Sequence, residues 1–347
     1  MRILCLGGPM LAGAFRRSGH TVLTAGTGGE LDAVIRHPVT TAQLLERLGA
    51  AGFAPDVLFY CDNGNLPLLL DPQRMPVPSV WYSIDTYCNP WHVPYAHGFD
   101  LALAAQKDFV PLFAHEGIPV RWLPLFCPAP LDENAAAGER DIPVAFVGTL
   151  GHRNNPDRKP FLEGFRRRHP LVLLSGAYAP VFARSRIVLN QTAFSEVNFR
   201  CFEAAGCGAA LLMESCGNGL EELFTPGEEI LPTYPRGDAA AAARIAAQAL
   251  AEPARLAEIA RAGFAAVRAG HSADIRASAL VELFASLLAD RVHETRLSCD
   301  TGRRAALVRG AFGVLASDLD NPAMAAHRAF FADMACGRIP AAGGRPS

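Results

Sequence analysis

The chain has 347 residues, 50% of them hydrophobic, with 32 basic and 34 acidic side chains and a formal net charge of −2. That length and apolar content suffice for two packed cores and exclude a disordered polymer. The near-balanced charge excludes a global electrostatic footprint for nucleic acid or for an anionic membrane surface. Nine cysteines are scattered without a CxxC pair. Such a set points to free thiols in a reducing cytoplasm rather than to a disulfide framework or a zinc site.

In chain order, residues 2–6 (RILCL) form a short apolar run ending at Gly7 and Gly8, which predicts a first buried strand rather than a signal peptide. A helix through Arg17 follows, then a strand over 20–23, a helix over 41–51 and strands over 56–60 and 79–84. This alternation predicts a parallel sheet with helices on both faces. Residues 127–141 are rich in Pro, Ala and charge and have no periodic apolar face, so the linker is placed at 129–141. A second alternating unit follows: strands over 143–147, 171–174, 187–190 and 209–213, with helices over 160–168 and 199–207. The pattern from 238 to about 290 is helical, with a break at Glu252-Pro253. Two more amphipathic stretches follow, the second with Asn321 as cap and Pro322 in its first turn. Every long apolar run is interrupted by Gly, Pro or a charge, so no transmembrane segment is expected.

Four groups of residues carry candidate chemistry. Gly7 and Gly8 do not fit the GxGxxG spacing of a dinucleotide site, and a glycine turn after the first strand is also what close packing in any doubly wound domain requires. The unit beginning at Phe146-Val147-Gly148 combines a glycine turn, a helix start and the cations Arg153, Arg158 and Lys159. That chemistry suits a diphosphate, and a solvated helix start is the plainer alternative. In the next helix Arg200, Glu203 and Cys207 share a face by their three and four spacing, which fits either a ligand-facing edge or a surface ion pair. At the end of the strand over 79–84, Asp85 and His92 are candidates to take a proton from an acceptor hydroxyl. The alternatives are that Asp85 caps the next segment and that His92 packs beside Trp91. The turn Asp62-Asn63-Gly64-Asn65 points to the same rim. Asp318-Leu319-Asp320 has a DxD form but lies between helices and reads as a cap or surface feature.

The motifs FVGTLGHRNNPDRKPFLEGF, SRIVLNQ, NFRCFEAAGCGAALL and GLEELFTPGEE, followed by a helical run ending near HSADIRASALVELF, resemble the CgeB-like (spore-maturation) glycosyltransferases. These are related to glycosyltransferase family 4 and have the GT-B fold. The resemblance spans 142–290. It continues more loosely over 55–127 in VWYSIDTYCNPWH and AQKDFVPLF, and leaves 291–347 outside. It implies an α/β chain of two Rossmann-like doubly wound domains with an interdomain cleft. The acceptor domain would be 1–128 and the nucleotide-sugar domain 142–290, with a helical extension over 291–347. Glu203 would accept hydrogen bonds from ribose hydroxyls. Arg200 and the Arg158-Lys159 pair would lie near the donor diphosphate, and Gly148, Arg153 and Gly219 are further donor-binding candidates. One departure stands out: related retaining enzymes carry two glutamates one position farther apart than Glu196 and Glu203, and position 195 is Ser.

The expected activity is metal-independent transfer of a hexose-type unit from a nucleoside-diphosphate sugar to a hydroxyl on a glycan, protein or small molecule. Cationic side chains and a helix N-terminus would offset the leaving charge, and no cofactor is implied beyond the donor itself, which is a substrate. A nucleotide-sugar epimerase of the same architecture and a non-catalytic sugar-nucleotide-binding protein are the rival readings.

Overall fold

Strands buried on both faces must be apolar along their whole length, and the runs RILCL, VLFYC, SVWYS and LALA meet that condition. The computed structural model describes residues 1–129, 131, 138–151, 154–299, 301–318 and 322–338. The chain divides into two compact units. The first comprises Met1–Ala105, Phe109–Leu123 and the chain from Ala277 on; the second comprises Gln106–Asp108 and Pro124–Arg276. Among the described residues no helix is long and apolar enough to cross a membrane.

The first unit is built on a seven-stranded parallel sheet. Its strands are β1 (Arg2–Gly7), β2 (Thr21–Gly26), β3 (Ala33–Val34), β4 (Val57–Cys61), β5 (Ser79–Ser83), β6 (Leu101–Ala104) and β7 (Val120–Trp122). They run in the order β3-β2-β1-β4-β5-β6-β7. Leu4 of β1 pairs with Leu23 on one side and Leu58 on the other, so the strand order reverses at β1. Open sheets of this type place ligands at the carboxyl ends beside such a reversal. There Gly7 is left-handed, and a Cβ on it would lie 2.2 Å from the Cys61 carbonyl oxygen. Close packing of the β1 and β4 ends therefore accounts for this glycine. The Asp62 turn follows β4 and Asp85 follows β5, so both lie on the same rim.

The helices after residue 290 are part of this unit. Val308, Ala311, Phe312, Leu315, Met324, Phe331 and Met334 share one buried cluster with Trp81, Tyr95 and Phe99. They supply one wall of the core, so what the sequence presents as an extension completes the first unit. Arg296, in the helix Val292–Ser298, is 1% exposed. Its guanidinium donates to Asp100 Oδ1 at 2.8 Å, the Gln73 carbonyl at 2.7 Å, and the Met75 and Val77 carbonyls at 2.7 and 3.0 Å. Four acceptors thus fix one buried cation. Asn321, Leu319 and Asp320 lie outside the described residues.

The second unit has a four-stranded parallel sheet of β8 (Ile142–Val147), β9 (Val172–Leu174), β10 (Ser185–Asn190) and β11 (Ala210–Met213), ordered β11-β10-β8-β9. Its reversal falls at β8, between β9 and β10. The helices Arg158–Arg166, Phe199–Gly206, Ala239–Ala251 and Pro253–Gly270 belong to this unit, and the break between the last two is at Glu252-Pro253. Small Ala side chains let the helix Ala239–Ala251 pack closely against Phe161, Phe165 and Tyr234. Of the expected linker, Pro130 and residues 132–137 lie outside the described residues. Arg140 at its far end donates to the carbonyls of Phe182, Ser185 and Cys207. Those three bonds tie the end of the segment to the second unit.

Arg296→Ala should cost about 3–5 kcal/mol, because it leaves Asp100 buried without its cation. Chemical denaturation of the full chain measures this. The exposed Arg291–Glu294 pair serves as a control, where removal should have little effect. An unchanged midpoint for Arg296→Ala would detach the C-terminal helices from the core.

Candidate functional site

The backbone carbonyl of Val147 stands at the carboxyl end of β8. Arg200, the second residue of the helix Phe199–Gly206, reaches back to it and donates from Nε at 3.2 Å and Nη2 at 2.9 Å. Its Nη1 donates to Asn190 Oδ1 at 2.7 Å, at the end of β10. The guanidinium carbon lies 4.3 Å from the Phe146 ring centroid. Arg158, first in its helix, lies 5.6 Å from the centre of the same ring. It donates to Gln191 Oε1 at 3.0 Å and to the Thr149 carbonyl at 3.0 Å. Two cations therefore converge on one aromatic ring beside the strand reversal. Burial, and after it the repulsion of Arg158, pushes Arg200 down to about 10. A bound anion would relieve both costs.

Gly148 stands between these groups. A Cβ on it would come within 2.5 Å of Arg200 Nη2, an atom already held by the Val147 carbonyl. One turn beyond Arg200, Glu203 is half-buried and accepts no hydrogen bond among the described residues. Burial raises its carboxyl to about 7, while Arg200 pulls in the opposite direction. Gly219 is left-handed and starts the short helix Leu220–Leu223, next to Asn218, whose side chain donates to the Ser195 carbonyl at 2.9 Å. Lys159 is exposed. Arg153 lies outside the described residues. The structure thus gathers Gly148, Arg158 and Arg200, sets Glu203 beside them, and puts Gly219 against the neighbouring turn.

The other glutamate of the motif, Glu196, is buried and spends its carboxylate on its own loop. It accepts from Ala193 N at 3.1 Å, Phe194 N at 2.7 Å and Asn198 Nδ2 at 3.5 Å. Sequence reasoning carried Asn190 and Gln191 only within the motif SRIVLNQ and missed Thr192. The one signal for a role was a polar triplet at the end of an apolar strand.

On the rim of the first unit, Asp62 is 2% exposed and accepts from Gly64 N and Asp85 N, both at 2.9 Å. Burial raises its carboxyl above the ordinary range despite these donors. Asp85 is half-buried and accepts from the Tyr87 hydroxyl at 2.6 Å. It stands at the start of the turn Thr86–Cys88, yet its side chain makes no capping bond. His92 takes the second of its two readings and packs beside Trp91. It is fully buried, edge-on to Trp81 and Trp91, with Nδ1 2.8 Å from Ser83 Oγ and Nε2 3.8 Å from Asp62 Oδ2. Burial pushes it to about 3, so the ring is neutral at ordinary pH. A sequence pattern places a residue at a strand end but does not say which way its side chain turns.

Residues 133–282 match a family model described as glycosyl transferase-like. No curated protein matches the chain. Among solved structures, HepE from Anabaena in complex with UDP and glucose is 12% identical, with 83% of this chain and 100% of that one covered at a TM-score of 0.60. Sucrose-phosphate synthase from Thermosynechococcus elongatus is 12% identical over 84% of this chain and 100% of that one, at 0.59. An E. coli trehalose-6-phosphate structure bound with UDP-2-fluoro glucose is 10% identical over 82% and 99%, at 0.55. At such identities the likeness establishes the fold. The chain has the GT-B fold, and residues 133–282 are similar to the glycosyl transferase-like family. The matched region of the glycosyltransferase-like domain contains every residue of the Arg158–Arg200–Glu203 group.

Because burial raises Glu203 from 4.5 to about 7, its neutral form is the one the fold prefers. The stabilisation this gives is complete below about 4.5 and is lost as pH rises through about 7. Relative to Glu203→Gln, the native chain should therefore lose thermal stability across that window. Parallel melting curves for the two proteins over the whole range would show that the carboxyl is not buried as described.

Proposed function

We propose that the chain transfers a hexose-type sugar from a nucleoside-diphosphate donor to a hydroxyl acceptor, without a metal ion. The observation that carries this reading is the convergence of Arg158 and Arg200 on Phe146 beside Gly148, with Glu203, which accepts no hydrogen bond among the described residues, one turn away. A diphosphate placed there would offset two positive charges, and the negative charge that grows on it as the sugar leaves would be stabilised by cations already in place. No reorganisation is then needed at the moment of reaction. Glu203, as a carboxylate, would accept from the ribose hydroxyls. The Anabaena HepE and E. coli structures, which hold UDP, UDP with glucose or a UDP-sugar analogue, make a UDP-sugar the first donor to test. Within the fold we assign the chain to the CgeB-like group on its motifs at 146–165, 198–212 and 219–229. The free cysteines favour a cytoplasmic setting.

On the acceptor side, Asp85 is the proton acceptor of this reading, being the half-exposed carboxylate on the rim. His92 acts behind it as a positioning residue through Ser83 and Asp62. One observation favours a second reading, a protein that binds a sugar nucleotide without turning it over: Glu196 is consumed by its own loop. Tight donor binding with neither transfer nor donor hydrolysis would establish that alternative.

Asp85→Asn should lower single-turnover rates by about 10²–10⁴-fold with donor affinity unchanged. A near-normal rate would move proton transfer to another group, Asp62 first. Turnover should also persist in EDTA. Loss of activity on chelation, restored by magnesium or manganese, would overturn the account in which side-chain cations carry the leaving group.

A further inference from the structure

Two turns follow the carboxyl ends of β10 and β11, and each holds a non-glycine residue in the left-handed region: Ser195 at φ 61° and Asn218 at φ 56°. The Cβ of such a residue crowds the following carbonyl, so the conformation persists only where the surroundings enforce it. The surroundings here are complete. Ser195 N donates to Thr192 Oγ1 at 3.1 Å, and that hydroxyl in turn donates to the buried Glu214 carboxylate. Arg236 Nη1 donates to Ser195 Oγ at 2.7 Å, and Asn218 Nδ2 joins the two turns through the Ser195 carbonyl.

Three residues distant in sequence close this network. The Gln106 side-chain amide, 1% exposed, exchanges two bonds with the backbone of Val197: Nε2 donates to its carbonyl at 3.1 Å and Oε1 accepts from its N–H at 2.9 Å. Asp108 does the same for Asn218, accepting from its N–H at Oδ2 at 3.0 Å and donating its own N–H to Asn218 Oδ1 at 3.2 Å. Lys107, between them, pairs with Glu222. Gly217 has no room for a side chain, since a Cβ there would lie 2.5 Å from Asp108 Oδ2. Val197 leads through Asn198 directly into the helix that carries Arg200 and Glu203.

We infer that Gln106 and Asp108 are positioning residues for the donor. They brace the Ser195 and Asn218 turns together and so set the place of the helix start bearing Arg200 and Glu203. The inference rests on the donor reading of that group. Neither residue touches the donor on this account; each acts through a turn. A side-chain amide exchanging two bonds with one backbone unit fixes its direction as well as its position, which a single bond would not do.

The test is calorimetric titration of the full chain with UDP-glucose, alongside thermal melts. Gln106→Ala and Asp108→Ala should each weaken binding by about tenfold, while Asp108→Asn, which keeps an acceptor for Asn218 N, should restore most of it. Asn218→Gly separates positioning from folding. Glycine is at ease in the left-handed region, so the melt should be unchanged or raised, yet with the side-chain clamp gone UDP-glucose should bind more weakly. Native-like affinity in folded Asp108→Ala, Gln106→Ala and Asn218→Gly, with binding still lost in Glu203→Ala, overturns the brace and leaves the donor site standing. No binding of UDP-glucose by the native chain overturns both.

Discussion

Two like charges held over one aromatic ring are the constraint around which the second unit is arranged. Arg158 and Arg200 repel each other and are partly removed from water, so each must be tied down by neutral acceptors: the Val147, Thr149 and Gln191 carbonyls and the side chains of Asn190 and Gln191. The acceptors come from the carboxyl ends of β8 and β10, the two strands that flank the reversal of order. Gly148 is glycine because the space a side chain would take belongs to a guanidinium. Asn190 is held in turn by Asn198 and, at its carbonyl, by the Tyr234 hydroxyl. Two positive charges kept close together and partly out of water, at a cost, are how a protein stores affinity for an anion that has yet to arrive.

The two glutamates of the motif show how one sequence feature can split into different physical roles. Glu203 sits on a helix with a carboxyl that accepts no hydrogen bond among the described residues, and burial lifts its proton affinity against the pull of Arg200. Glu196, seven residues earlier, turns inward and satisfies amide groups that the left-handed Ser195 turn would leave without partners. Spacing distinguished them only as a departure from the family pattern. Geometry shows that the earlier glutamate is used to build the turn.

What could be read from the sequence follows the range of the interactions. The strands β1, β4, β5, β8, β10 and β11 announce themselves because burial on both faces forces continuous apolar runs. The two-residue β3 and the half-buried β7 do not, having little or no such run to show. The Gly148, Arg200 and Glu203 constellation was legible because each part lies in a local strand, turn or helix signal. Gln106 and Asp108 were not: their partners are 91 and 110 residues away, and a glutamine after an alanine carries no mark of what it will hold. His92 was open for the opposite reason, its two readings being proton acceptor and packing beside Trp91. Its position was legible, but the inward turn of the ring between two tryptophans depends on the packing of the finished core. The C-terminal helices were visible as amphipathic segments, while the surface they would cover was not.

That last point bears on how the polypeptide acquires its shape as it is synthesised. Nearly all of the second unit is contiguous, residues 124–276, so it can finish folding soon after that stretch leaves the ribosome. The first unit is begun earlier and finished later. Its wall of Trp81, Tyr95 and Phe99 must wait for Phe312, Phe331 and Met334, and the cradle of carbonyls at Gln73, Met75 and Val77 must wait for Arg296. Until those residues emerge, the nascent chain therefore carries an open aromatic face. Vectorial synthesis thus exposes the first unit to aggregation for longest, and a nascent chain halted before Val308 has a whole second unit and a first without a lid on its core.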